Sequence, residues 1–339
     1  MKIFAVPKSF SLTKKGKTVL LLKEEYRDLL LREGIEDIEG FLQRNRQVSH
    51  YLEGRTSHPS VSLADGIRIV FRHYTHGGLL GAILGDRFLS GSRSFQELAL
   101  TEEVRSCGIP TVQPVGALHR PTLSPFYRAY LFSLEIPRAR NLIQYFQETG
   151  THTTPESLSQ KRKFIRLAGL LLRRFHEAGF FHGDLQLKNI LMAENQVFLI
   201  DFDRSYRKPS LTLKERMRNL LRLNRSVEKW KRLGLPVTRT DRWRFFLAYA
   251  GGDKEIRHAL ERAIRSYWLR LLLHRVGWAL EKVMGRVSIS DFRFQIEVPM
   301  PTLYENTEIG RRGDRINAEC GLRIAEQRKE MDFRFQISD

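Results

Sequence analysis

Cysteine is nearly missing. The two that occur, Cys107 and Cys320, lie far apart and form no C-x-x-C pair, which argues against a disulfide framework and a thiolate metal site and fits a reducing compartment. No H-E-x-x-H and no G-x-S-x-G occurs, so the marks of a zincin protease and of a nucleophile-elbow hydrolase are absent. Long apolar runs are missing too. Even "YWLRLLLHRVGWAL" (267–280) is broken by Arg270, His274 and Arg275, so the sequence predicts no membrane span. Pro7 and Lys8 cut the only apolar stretch of the N-terminus short, and no signal peptide is expected. Acidic residues are outnumbered, 38 against 57 Lys and Arg, for a net charge of +19. That excess calls for a polyanionic partner: nucleic acid, acidic lipid, or a phosphorylated or carboxylated substrate.

What remains is ordinary globular material, 42% hydrophobic and 28% charged, in 339 residues. That length suffices for one large domain or two lobes. The first third reads as strands at 17–22, 61–74, 115–120 and 127–136, with Asp65-Gly66 as a hairpin signal. One helix interrupts them, over "SRSFQELALTEEVRSCG", ended by Gly108 and Pro110. The pattern then turns helical. Residues 157–179 carry a Ser start, a Gly stop and a stripe through Phe164, Leu167, Leu170, Leu171 and Phe175, and further helices are expected to about residue 285. The sequence therefore predicts an α+β fold with a β-rich N-lobe over 1–136 and an α-rich C-lobe over 137–285. Residues 286–339, in which "DFRFQI" occurs twice, form an appendage of unknown order.

Within the second lobe, between apolar runs, lies "FFHGDLQLKNILMAENQVFLIDFDRS" (180–205). Its "HGDLQLKN" has the form H-x-D-x-x-x-x-N, and twelve residues after Asn189 comes "DFD" behind the strand "VFLI". This order and spacing resemble the catalytic and metal loops of protein-kinase-like phosphotransferases. An aspartate on a tight loop must reach the attacking hydroxyl, an asparagine one turn later must reach a metal, and an aspartate at a strand end must hold Mg²⁺ against nucleotide phosphates. Asp184, Asn189 and Asp201 fit those roles. Each alone reads equally well as a turn former or strand cap; the joint pattern carries the reading.

Further segments narrow it: "FRHYTHGGLLG" (71–81), "RSFQELALTEEVRSCGIPTVQPVGA" (93–117), "EIPRARNL" (135–142), "LLRRFHEAGFFHGDLQLKNIL" (171–191), "LIDFDRS" (199–205) and "RMRNLLRLNRSVEKW" (216–230). With them the chain, over roughly 50–245, resembles the lipopolysaccharide core kinases, in particular those acting on Kdo (3-deoxy-D-manno-octulosonic acid). The resemblance implies a protein-kinase-like fold, ATP with Mg²⁺ as cofactors, and phosphorylation of a Kdo or heptose hydroxyl. It places such a kinase at the cytoplasmic face of a Gram-negative inner membrane, as a peripheral protein. It also implies Asp184 as catalytic base, Asn189 and Asp201 as metal ligands, and Glu97 as the helix glutamate that pairs with a basic strand residue at the phosphates. Arg72 stands where kinases carry lysine, with Arg68 as its rival for that place.

Two features depart from the kinase pattern. No G-x-G-x-x-G precedes Arg72, and a Ser/Thr-rich turn between Gly54 and Gly66 is left to supply phosphate-binding N–H groups. Asp203 replaces the glycine of the metal loop, which should restrict flipping of that loop. Residues 207–244 carry thirteen Lys and Arg against three acids. They would face anionic headgroups and substrate carboxylates; the expected partners are a lipopolysaccharide precursor and an anionic membrane surface, and no nucleic acid. Trp230, Trp243, Phe245 and Phe246 interleave with basic residues, a pattern that suits nucleic acid or a membrane surface, but helical spacing assigns most of them to core packing. The alternatives are a small-molecule or protein kinase of the same fold, or an inactive kinase-fold module that binds an anionic partner.

Overall fold

The structure, a computed structural model, describes residues 6–47, 49–52, 58–63, 66–75, 85–89, 92–122, 125–151 and 154–265. The DFRFQI repeats, "HGGLLG" and residues 54–57 and 64–65 lie outside the described residues. Within the stretch expected to form a Ser/Thr-rich turn, His58–Ser62 is instead a strand, because its residues pair in the sheet. Contacts divide the chain into two compact units, 1–253 and 254–339. In the second unit residues 254–265 are helical, with Arg257 and Glu261 paired one turn apart at 3.6 Å.

The first unit begins with a sheet of alternating residues. Its strands are β1 (Phe10–Lys15), β2 (Thr18–Lys23), β3 (Ser49–Leu52), β4 (His58–Ser62), β5 (Arg68–His73), β6 (Phe88–Leu89), β7 (Pro114–Pro121) and β8 (Phe126–Leu134). They pair antiparallel in the order β1-β2-β7-β8-β5-β4-β3, with β6 beside β8. Strands β4 and β5 pair antiparallel, and Gly66 between them sits at φ +74, a backbone state that favours glycine; Asp65 lies outside the described residues.

Period-2 alternation sends Leu20, Leu22, Phe71 and Phe132 to one face and Leu21, Ala117, Ala129 and Leu131 to the other. Two helices cover the first face. They are α1 (Glu24–Arg32) and α2 (Ile38–Arg44), which bury Tyr26, Leu30, Ile38 and Phe41. The sequence reading allowed a single helix in this third and missed both. Their apolar residues recur at helical spacing, but each run is too short to outweigh the strands around it. The helix that was expected, α3 (Arg93–Ser106), covers the second face with Phe95 and Leu98, and Gly108 follows it at φ +69.

The helical half starts with β9 (Arg140–Asn141), α4 (Leu142–Thr151) and α5 (Pro155–Glu177). The long helix α5 begins earlier than the Ser157 signal. Thr154 is its cap, accepting the Ser157 N–H at 3.2 Å, and Pro155 occupies the first turn. Then come β10 (Phe180–Phe181), a 3-10 turn (Leu187–Asn189), β11 (Ile190–Ala193), β12 (Gln196–Leu199) and β13 (Tyr206–Arg207). Two helices follow: α6 (Leu213–Arg232), which is amphipathic, and α7 (Arg239–Ala250), each started by a reciprocal threonine–acid capping box. A strand-rich part followed by a helix-rich part is the kinase-like two-lobe α+β arrangement.

Candidate active site

The loop after β10 is fixed by its own backbone. Gly183 passes so close to the 203–204 turn that a Cβ there would lie 2.4 Å from the Asp203 carbonyl oxygen, which only glycine permits. Its N–H donates to Ser205 Oγ at 2.9 Å. His182 closes the loop from inside: Nδ1 accepts the Asp184 N–H at 3.1 Å and Nε2 donates to the Ile200 carbonyl at 3.0 Å. One donor and one acceptor make a neutral imidazole, and burial, pushing its pKa down, favours the same form. Asn189 Nδ2 donates to the Asp184 carbonyl at 2.8 Å, and the Ile200 N–H reaches the Asn189 carbonyl at 3.1 Å. Asp184, Asn189 and Asp201 are thereby held side by side.

Helix α6 grips this loop from behind. Asn219, fully buried, accepts the His182 N–H at 3.0 Å and donates to the His182 carbonyl at 2.8 Å. Its Oδ1 also lies 3.1 Å from His176 Nε2, whose Nδ1 meets the Tyr249 hydroxyl at 2.7 Å. Two turns on, Ser226 Oγ accepts the Leu187 N–H at 3.2 Å. The sequence reading passed over Asn219 and Ser226. Both are polar residues on the apolar stripe of an amphipathic helix, and that misplacement is the signal that marks them.

The small-lobe charges converge on the same place. Arg72 on β5 reaches Glu97 of α3 through Nη1 and Asp201 through Nη2, each at 2.7 Å. Arg68 instead pairs with Glu135 at 3.0 Å, so of the two arginines it is Arg72 that meets Glu97. Burial opposes the Arg72 charge, yet the Glu97 and Asp201 carboxylates hold its pKa well above the usual value. Burial pushes the Glu97 carboxyl up to about 7 against the pull of Arg72. Glu97 also accepts a hydrogen bond from the Tyr74 hydroxyl. His58 on β4 feels the same surroundings; burial and then the Arg72 charge push its imidazolium down to about 4.

Asp201 sits at φ +67, a left-handed state costly for a non-glycine residue and held here by the Arg72 contact and the turn. Asp203 is fixed by both its oxygens to Arg93 at the start of α3. Asp203 therefore anchors the 201–203 segment to α3.

Asp184 itself faces outward. Gln186 Nε2 lies 2.7 Å from each carboxylate oxygen, Arg222 Nη2 lies 3.1 Å from Oδ1, and Lys188 Nζ lies 3.9 Å from Oδ2. The basic segment thus divides. Lys214, Arg218, Arg222 and Arg225 are exposed and Arg216 is half-buried, while Met217, Leu220 and Leu223 are buried. Arg218 covers the Phe181 ring at 4.7 Å. Of the aromatic residues read as core, Phe246 is buried but Trp243 is exposed, stacked on Phe246 at 4.8 Å.

Among the described residues no three His, Cys, Asp or Glu side chains gather as a metal cage. The donors at hand are the Asn189 Oδ1, left over once Nδ2 is bonded, and the Asp201 Oδ2. Two hard oxygens suit Mg²⁺, which keeps several waters and takes phosphate oxygens rather than an all-protein cage. The residues fit the ion.

Known proteins match this chain over the same region. A model of the lipopolysaccharide kinase (Kdo/WaaP) family matches residues 39–249. A 3-deoxy-D-manno-octulosonic acid kinase of Vibrio cholerae serotype O1 is 34% identical over 195 residues, 56% of this chain and 77% of the relative. Kinases of the same description from Mannheimia succiniciproducens and Actinobacillus succinogenes are 32% and 31% identical, over 56% and 61% of this chain and 78% and 86% of theirs. A solved structure described as WaaP in complex with acyl carrier protein shares 16% identity, covering 73% of this chain and 99% of its own, with a TM-score of 0.45.

Proposed function

The chain belongs to the lipopolysaccharide kinase (Kdo/WaaP) family, and from that premise we propose that it transfers the γ-phosphoryl group of ATP to a hydroxyl of Kdo in a lipopolysaccharide precursor. That it is a phosphotransferase with a sugar hydroxyl as acceptor follows from the family. The finer assignments are ours. ATP with Mg²⁺ supplies the phosphoryl group and the charge that neutralises it, with Asn189 and Asp201 holding the metal. Arg72, oriented by Glu97, faces the phosphates. Asp184 accepts the proton of the acceptor hydroxyl as its oxygen bonds to phosphorus and the bond to the bridging phosphate oxygen breaks.

We assign residues 1–136 to the nucleotide-side lobe, 137–285 to the acceptor-side lobe, and 286–339 to an appendage. Among the described residues no helix is long and apolar enough to cross a membrane. The exposed cations of α6 suit an anionic inner-membrane surface on the cytoplasmic side. One observation carries the reading: His182 and Asn189 tie the 182–189 loop to the chain at Ile200, next to Asp201, while Asn219 holds the same loop to α6, so that Asp184 and Asp201 come from two linked loops. An inactive binding module has no use for that arrangement. The test is incubation with γ-labelled ATP and isolated lipid A–core glycolipids, followed by mass analysis. Label on Kdo supports the proposal; label on heptose, or on no glycolipid, contradicts it.

A further inference from the structure

Arg222 is an odd neighbour for a residue that must take a proton. It lies on α6 between two residues that hold the catalytic loop: Asn219, three before it, grips His182, and Ser226, four after it, grips Leu187. Positions 219, 222 and 226 share one helix face, so the two grips fix where Arg222 emerges. It emerges at Asp184, with Nη2 at 3.1 Å from Oδ1 and the side chain 43% exposed. Among the described residues it makes no other ion pair and no hydrogen bond. A guanidinium offers five N–H donors, and only the Nη2 corner faces Asp184.

The second cation on Asp184 stands apart from it. Lys188 approaches the other oxygen, and its charge, with those of Arg72 and Asp201, is also felt at His58. Lys188 thus belongs with the Arg72 end of the site, and Arg222 with the open side where an acceptor must arrive.

We propose that Arg222 recognises the acceptor, its free edge binding a carboxylate carried by the same sugar whose hydroxyl reaches Asp184. The inference rests on the kinase reading above and deepens it by naming the feature of the acceptor that is read. Arginine and carboxylate match as planar, two-pronged partners. With Asp184 on one edge of the guanidinium and the anion on another, two contacts of about 2.9 Å each place the carboxylate about 6–8 Å from the Asp184 oxygen. That span fits a carboxylate and a hydroxyl on one sugar-acid ring, and it fits no neutral hexose or heptose. Arg222 acts in binding and placing the acceptor; Asp184 remains the proton acceptor.

The experiment compares two acceptors, a Kdo-bearing lipid A precursor and the same glycolipid methyl-esterified at its Kdo carboxylate, with wild-type protein, Arg222→Gln and Arg222→Lys. The ratio of kcat/KM for acid over ester cancels any effect of the substitution on Asp184 itself. The wild type should prefer the acid by about tenfold or more, as a site built around a charge pair discriminates. Arg222→Gln should bring that ratio to about one by raising the KM for the acid, with the KM for ATP within about twofold of wild type. Arg222→Lys should keep an intermediate ratio, because a point charge attracts without the fork; it also serves if the glutamine variant does not fold. Equal wild-type activity on acid and ester overturns the inference and leaves the kinase reading intact, as does a preference that persists in Arg222→Gln. Transfer to neither acceptor by the wild type overturns the kinase reading and the inference with it.

Discussion

The two ends of the carboxylate row, Asp201 and Asp184, each carry an arginine, and the two arginines are built in opposite ways. Arg72 is enclosed: Glu97 and Asp201 take one nitrogen each, and Tyr74 lies under the guanidinium at 4.9 Å. Arg222 is open, with one contact and most of its donors free. A buried ion pair contributes little net stability against apolar packing, but breaking it leaves a charge without a partner, so its geometry is fixed before any ligand arrives. An exposed pair is worth at most about 1 kcal/mol and exchanges partners readily. On the proposed reading, one end of the site is set in advance for the nucleotide, and the other is left to be completed by the acceptor.

The largest effect expected from breaking this contrast is at the enclosed end. Arg72→Ala and Glu97→Ala should each raise the KM for ATP and lower kcat/KM by about a hundredfold, from about 3 kcal/mol of lost pairing. The double variant should cost much less than the sum, and Arg72→Lys should keep part of the activity. Additive losses in the double-mutant cycle would separate the two residues.

The next effect concerns what both ends share. Asn219→Ala removes the partner of the His182 N–H and carbonyl at once, so unfolding free energy by denaturant titration should fall by about 2–4 kcal/mol. Turnover should fall as well, because Asp184 loses its support. A stable, fully active variant would show that the loop is held elsewhere.

His176 gives the pH dependence of that support. Burial pushes its imidazolium down to about 3, against an ordinary value of 6.5. A group with a depressed folded value contributes stability that is complete above the unfolded pKa and is lost as pH falls. Stability should therefore decline below pH 6.5 toward pH 3, by at most about 1.4 kcal/mol per pH unit from this residue. Imidazole NMR should find no titration of His176 above pH 5; a midpoint near 6.5 would contradict its burial.

The smallest effect belongs to the exposed cations that do not touch Asp184. Arg218→Glu with Arg225→Glu should weaken binding to anionic liposomes by about 1 kcal/mol per charge changed, and the loss should shrink in high salt. Arg222 is left out of that variant because it touches Asp184.

How much of this was legible beforehand depends on the range of the interaction. The H-x-D-x-x-x-x-N and DFD spacing is local, and so are the glycine turn at Gly66 and the Gly108 stop; each could be read along the chain. The stripe expected on α5 is met at Phe164, Leu171 and Phe175 but not at Leu170, which is exposed while Ile165, Ala168 and Leu172 are buried. The helices α1 and α2 were missed because their apolar residues are few and gain their burial from a sheet assembled out of distant strands. Asn219 was missed for a similar reason. It looks like one more polar residue on a basic helix until His182, 37 positions away, is placed against it. The basic segment was read as one face toward an anionic surface, whereas Arg222 turns to the catalytic loop and Arg218 to Phe181. Charge counting gives the sign of a partner but not the address of each side chain.

The central claim is that Asp184 and Asp201, side by side, do different work: one on the acceptor hydroxyl, the other on the metal and nucleotide. Measuring Mg·ATP affinity and sugar-phosphate turnover together for Asp184→Asn and Asp201→Ala tests it most directly. The account predicts that Asp184→Asn binds Mg·ATP nearly as the wild type does and transfers nothing, while Asp201→Ala loses both. Equal loss of nucleotide binding in the two variants would contradict it.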